Sequence, residues 1–182
     1  MSKPFEIELL EQHWLGGDPT SADKCSHGRL RVSIGGHEVS DASEDNYGIS
    51  TSALALLRTL ESNHTCEDPR AHRLVQHGCG AILMMTCPVG IDWSVRHDSG
   101  FADLFNAVTY PSVNEADAIR HLEAVARLPV SEYRDVVVRL ADAVEAFFQS
   151  QPPRAFDNSF DQQDYDQFWA EFRSILKRQC DR

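Results

Sequence analysis

GIDWSVRHDSGFADLFNAVTY, residues 90–110, is the stretch whose reading decides the fold of this chain. Ile91, Trp93, Val95 and His97 alternate with Asp92, Ser94 and Arg96, the two-residue period of a half-buried strand. Asp98-Ser99-Gly100 is turn chemistry, and residues 101–110 are expected to return as the partner strand. A hairpin in mid-chain makes the fold depend on what flanks it.

Upstream, Phe5, Ile7 and Leu9 alternate with Glu6 and Glu8, and Leu30, Val32 and Ile34 alternate with Arg31 and Ser33, so two further strands are expected. Gly35-Gly36 suits a tight turn into residues 37–39, residues 16–28 read as a loop, and the apolar run 80–87 reads as a short strand. The period changes over residues 50–62, where Ala53, Leu54, Leu57 and Leu60 recur at helical spacing behind Ser50 or Ser52, either of which suits an N-cap. Downstream the chain turns helical. Ala118, Ile119, Leu122, Val125 and Ala126 predict one helix ending before Pro129, and Tyr133, Val136, Val137, Leu140, Val144 and Phe147 predict a longer one opening at Ser131, with a short bend between the two. Pro152 and Pro153 stop that helix, residues 151–163 form a polar linker, and Tyr165, Phe168, Trp169, Phe172, Ile175 and Leu176 mark a last helix over 164–179. Strands gathered early and helices late, without alternating βαβ units, predict an α+β fold: an antiparallel sheet from the N-terminal half packed against helices mainly from the C-terminal half. Residues 1–182 are expected to form a single globular domain.

With 42% hydrophobic and 25% charged residues the composition excludes wholesale disorder. No apolar run reaches the roughly 18–20 residues that span a bilayer, and Glu6, Glu8 and Glu11 stand where a secretory signal has its apolar stretch, so a cytoplasmic protein without a membrane partner is expected. Five scattered cysteines resemble no disulfide framework and are expected to be reduced. Seventeen Lys and Arg against 28 Asp and Glu give a net charge of −11. That charge opposes direct nucleic-acid binding and favours fast encounter with a basic protein.

Catalytic motifs are scarce. Cys66, His72, His77, Cys79 and Cys87 are the densest group of soft ligands, but only His77-x-Cys79 approaches zinc-knuckle spacing, so no metal and no cofactor are expected. Cys87-Pro88 reverses the deaminase order, no Gly-x-Ser-x-Gly elbow occurs, and Gly16-Gly17 and Gly35-Gly36 match neither phosphate-binding fingerprint. Cys25, Cys66 and Cys180 carry no local nucleophile signature and read as ordinary loop or terminal residues.

The acids are unevenly placed. Asp41, Glu44 and Asp45 share one polar loop, and Asp157, Asp161, Asp164, Asp166 and Glu171 run through residues 155–172 without a Lys or Arg. Asp161 or Asp164 also suits a helix cap. Tyr165, Phe160, Phe168 and Trp169 interleave with these acids. Aromatic anchors ringed by charge suit a protein-binding site, and the expected partner-binding residues are Asp157, Asp161, Asp166, Tyr165 and Trp169, with Glu44 and Asp45.

The segments GIDWSVRHDSG (90–100), YRDVVVRLADAVEAFF (133–148) and DYDQFWAEF (164–172), in a small acidic α+β chain without catalytic motifs, give it a resemblance of type to the immunity proteins of bacterial contact-dependent and polymorphic toxin systems. The resemblance implies a protein that binds and blocks a cognate toxin domain, often a basic nuclease. It carries over no binding residue. An enzyme using a His/Cys or carboxylate site, and a regulatory interaction module without a toxin partner, are the alternative readings.

Overall fold

The alternating N-terminal segments form β1 (Phe5–His13) and β2 (His27–Ile34), paired antiparallel with Ile7 opposite Val32 and Leu9 opposite Leu30. The computed structural model describes residues 3–15, 23–41, 43, 46–67, 73–78, 87–156 and 158–180. The strand expected over 80–87 lies outside these except for Cys87. Gly35 and Gly36, at φ 62° and 82°, close the two-residue hairpin into β3 (His37–Asp41), and β4 (Tyr47–Gly48) pairs with the start of β2. A second antiparallel sheet runs β5 (Val75–Gln76), β6 (Gly90–Asp98), β7 (Phe101–Tyr110), β8 (Ile119–His121), and β9 (Ala126–Pro129) also pairs with β7. The β6–β7 hairpin turns at Ser99 and Gly100, both at positive φ, with Asp98 opposite Phe101.

Among the described residues, three α-helices complete an α+β fold: α1 (Ile49–Thr59), α2 (Val130–Gln149) and α3 (Ser159–Cys180). Every residue of α1 except Arg58 is buried, which makes it the central element. Its polar side chains are all bonded, as burial requires. The Ser50 and Ser52 hydroxyls accept from the backbone N–H groups of Ser26 (3.2 Å) and Gln76 (3.1 Å), and Thr59 meets the Tyr133 hydroxyl of α2 at 2.7 Å. The two serines therefore tie the helix to its neighbours and do not cap it; Gly48 is the N-cap, without a side-chain bond. Ser131 does not cap α2 either, because the helix already begins at Val130, whose N–H donates to the Gly100 carbonyl. Phe5 joins the layers, its ring 5.9 Å from that of Trp93 and 5.3 Å from that of Tyr133.

The helix expected from Ala118 to Ala126 is replaced by strand. Ile119 to His121 pair with Thr109 to Ala107, and the ladder resumes with Ala126 opposite Leu104. Unpaired N–H and C=O groups along β7 need partners, and pairing there outweighs a short apolar stripe of which Ile119, Leu122 and Val125 stay exposed while Ala126 reaches the core. The bend between two helices disappears with it. The half-buried reading of β6 also fails at its N-terminal end: Asp92 and Ser94 are buried, because His64 bonds Asp92 at 2.8 Å and the Cys66 sulfur lies 3.4 Å from the Ser94 hydroxyl. The last helix starts five residues earlier than expected, at Ser159, with the Asn158 side chain accepting from the N–H of Asp161 at 2.8 Å. Asn158 takes the capping role expected of Asp161 or Asp164.

Candidate functional site

On α3, the spacing of Phe168, Trp169, Phe172, Ile175 and Leu176 produces one apolar stripe, and all five are buried. Trp169 is 4% exposed, with its ring 4.5 Å from that of Phe148 on α2. Tyr165 is half-buried beside Phe156, ring centroids 5.0 Å apart, and burial raises its phenol pKa. These two aromatics dock the helix, so Trp169 is a core residue and presents no surface anchor. Asp161 forms an ion pair with Lys24 and accepts from Asn158 at 2.9 Å; the Lys24 bond holds its carboxyl below the usual range. Asp166 is exposed and accepts from Gln162 at 3.0 Å. Asp157, Glu44 and Asp45 lie outside the described residues.

A different surface exposes Ile119, Leu122 and Val125, which the sequence assigned to a helix, together with Val113. Between β7 and β9, Val113, Ile119, Leu122 and Val125 are 75%, 52%, 81% and 55% exposed. Glu115, Asp117 and Glu123 accompany them, with Arg120 as the one Lys or Arg and His121 as the one histidine of residues 111–125. The segment is locally braced: Asn114 accepts from the Ala116 N–H at 3.2 Å, and the Ser112 hydroxyl donates to Asp117 at 2.6 Å. Its strand β8 is terminal in the sheet order, so among the described residues no strand pairs with its outer side. Beside it, His37, Glu38 and residues 120–124 line an open cleft of about 330 Å³. Burial keeps His121 below the usual histidine range, its Nε2 2.9 Å from the Thr109 hydroxyl. Glu38 and Glu123 face Arg120 across the cleft lining. Exposed aliphatic side chains grouped with acids on a free sheet edge provide main-chain bonding, apolar area and charge together.

No protein-family model, curated protein or solved structure significantly matches this chain.

A second group of reactive side chains is internal. His27, at the start of β2, points Nδ1 at the Asn46 amide oxygen (2.9 Å), and its Nε2 lies 3.7 Å from the Cys25 sulfur. Asn46 continues to His77 Nε2 (3.3 Å), and His77 Nδ1 lies 3.8 Å from the Cys87 sulfur. Of the residues singled out between Cys66 and Cys87, His77 and Cys87 are thus brought together, Cys66 stands apart on Ser94, and His72 and Cys79 lie outside the described residues. Burial pushes the Cys66 thiol pKa up, opposite to what a nucleophile needs. The sequence reading missed Cys25, His27 and Asn46. The available signal was Asp23-x-Cys25-x-His27 directly before a strand, where alternate residues share one side.

Proposed function

We propose that this chain is a protein-binding protein that docks a basic partner on the edge formed by residues 111–125, and that it serves as an immunity protein neutralising a cognate bacterial toxin domain. The observation that carries the reading is the exposure of Ile119 on the terminal strand β8 and of Val113, Leu122 and Val125 in the segments flanking it, among Glu115, Asp117 and Glu123. Large aliphatic side chains left in water on an ordered sheet edge are costly unless a partner covers them. The net charge of −11 supports a cationic partner, because the summed field accelerates encounter before contact. An inhibitor needs no catalytic group, only a surface that occludes the partner.

The test uses the protein encoded beside this chain's gene. Its toxic domain should bind this chain and lose activity. Association should slow steeply between about 0.05 and 0.5 M salt, as the Debye length contracts to a few Å, with dissociation changing less. Leu122→Asp should weaken binding at least 10-fold without unfolding the chain, since exposed substitutions shift stability by less than about 0.5 kcal/mol. Failure of the neighbouring product to bind or to be inhibited would sink the immunity reading; full binding by folded Leu122→Asp would remove the edge as the interface.

A further inference from the structure

Asp23, Cys25 and His27 occupy alternate positions of the extended approach to β2 and converge on one point. Asp23 Oδ1 lies 3.3 Å from His27 Nε2 and 3.9 Å from the Cys25 sulfur, and the sulfur lies 3.7 Å from Nε2. A tetrahedral zinc ion with Zn–N and Zn–O of about 2.0–2.2 Å and Zn–S of about 2.3 Å separates its ligand atoms by about 3.4 Å for N···O and about 3.6 Å for pairs with sulfur. All three sides of the triangle fall within about 0.3 Å of those separations. We infer that Asp23, Cys25 and His27 bind one first-row divalent cation, zinc by the softness of the mixed N, S and O donor set.

The surroundings orient each ligand for that purpose. Asn46 donates to the Gly78 carbonyl (3.4 Å) and faces His77 through its amide nitrogen, which turns its oxygen to His27 Nδ1. An Nδ1–H donated to the Asn46 oxygen would turn the Nε2 lone pair to the cluster, the arrangement by which a metal-bound histidine is held from its far side. Asp23 Oδ2 accepts from the Leu15 N–H at 3.0 Å and Oδ1 from the Cys25 N–H at 3.4 Å, which holds the carboxylate beside the sulfur. Nε2 stands 3.3 Å from Oδ1 and 3.2 Å from Oδ2 of the carboxylate, a separation that either a proton on Nε2 or a shared cation can occupy. A proton would satisfy those two alone; a metal also uses the sulfur that completes the triangle. On binding, the Cys25 thiol releases its proton to solvent and coordinates as thiolate.

The position suits a structural clamp. Cys25 and His27 are buried, Ile49 at the start of α1 donates to the Ser26 carbonyl, and Arg154 between α2 and α3 donates to the Asp23 carbonyl. A metal here ties the entry of β2 to the end of β1, to α1 and to the connection before α3.

The test titrates chelator-treated full chain with cobalt(II) alone and zinc(II) alone. About one cobalt per chain should give the visible bands of tetrahedral coordination and a near-ultraviolet thiolate-to-cobalt charge-transfer band; zinc should displace it and raise the thermal midpoint. Cys25→Ser should abolish the charge-transfer band, Asp23→Asn should keep the band with weaker binding, and Asn46→Ala should lower affinity roughly 10- to 100-fold. Absence of the band and of any thermal shift in the parent chain overturns the proposal. So does a charge-transfer band that persists in Cys25→Ser, or, if that variant does not fold, unchanged affinity in Asn46→Ala.

Discussion

Gly35→Ala and Gly100→Ala form a matched pair. Both glycines sit at hairpin turns with positive φ, 62° and 85°, where a side chain costs about 1–2 kcal/mol relative to glycine. Their surroundings differ. A Cβ on Gly100 meets nothing within 4 Å, whereas a Cβ on Gly35 would stand 2.2 Å from the Val125 carbonyl oxygen, well inside the 3.4 Å of ordinary contact. That oxygen is backbone, so relief requires the β2–β3 turn and the segment joining β8 to β9 to part by about 1 Å, a strain of the kind that overpacking imposes at roughly 1–3 kcal/mol. Gly100→Ala should therefore lose about 1–2 kcal/mol and Gly35→Ala roughly 2–5 kcal/mol. Urea unfolding with an unchanged slope measures both. Losses equal within about 0.5 kcal/mol would refute the close approach of the β2–β3 turn to residue 125.

Trp169→Ala should cost roughly 3–5 kcal/mol in the same assay, because the indole packs between α2 and α3; a loss under about 1 kcal/mol would return Trp169 to the surface. Asp103 accepts from Arg96 (2.9 Å) and Arg127 (2.8 Å), and the Arg96 bond leads the effects that hold its carboxyl below the usual range. A depressed folded pKa stabilises fully above the unfolded value of about 3.9 and loses that contribution as pH falls through the folded value. Stability should drop below about pH 4, and Asp103→Asn should flatten that part of the profile; an unchanged acid limb would show that the pair contributes nothing.

Elements with strong local signals were legible in the sequence. Leu30, Val32 and Ile34 fix the face of β2, Asp98-Ser99-Gly100 places the β6–β7 turn, and the stripe from Tyr133 to Val144 is α2. Residues 118–126 were not legible, because Ile119 and Leu122 fit a helical stripe while pairing with β7, a non-local requirement, decides their state. The same holds for Ser50 and Ser52: their hydroxyls suit caps locally, but Ser26 and Gln76 claim them from distant segments. The candidate binding edge stayed hidden for the first reason, since residues assigned to a buried helix face could not be read as exposed. The acids of α3 were visible in the sequence, yet the partner of Asp161, Lys24, lies far away in the chain.

Hydrogen–deuterium exchange on the complex with the neighbouring gene's toxic domain tests the binding reading most directly. Added main-chain pairing on the free edge should slow exchange of backbone amides within residues 119–128 while leaving residues 159–167 unchanged. Protection confined to residues 159–167, or none anywhere at saturating partner, would contradict the account.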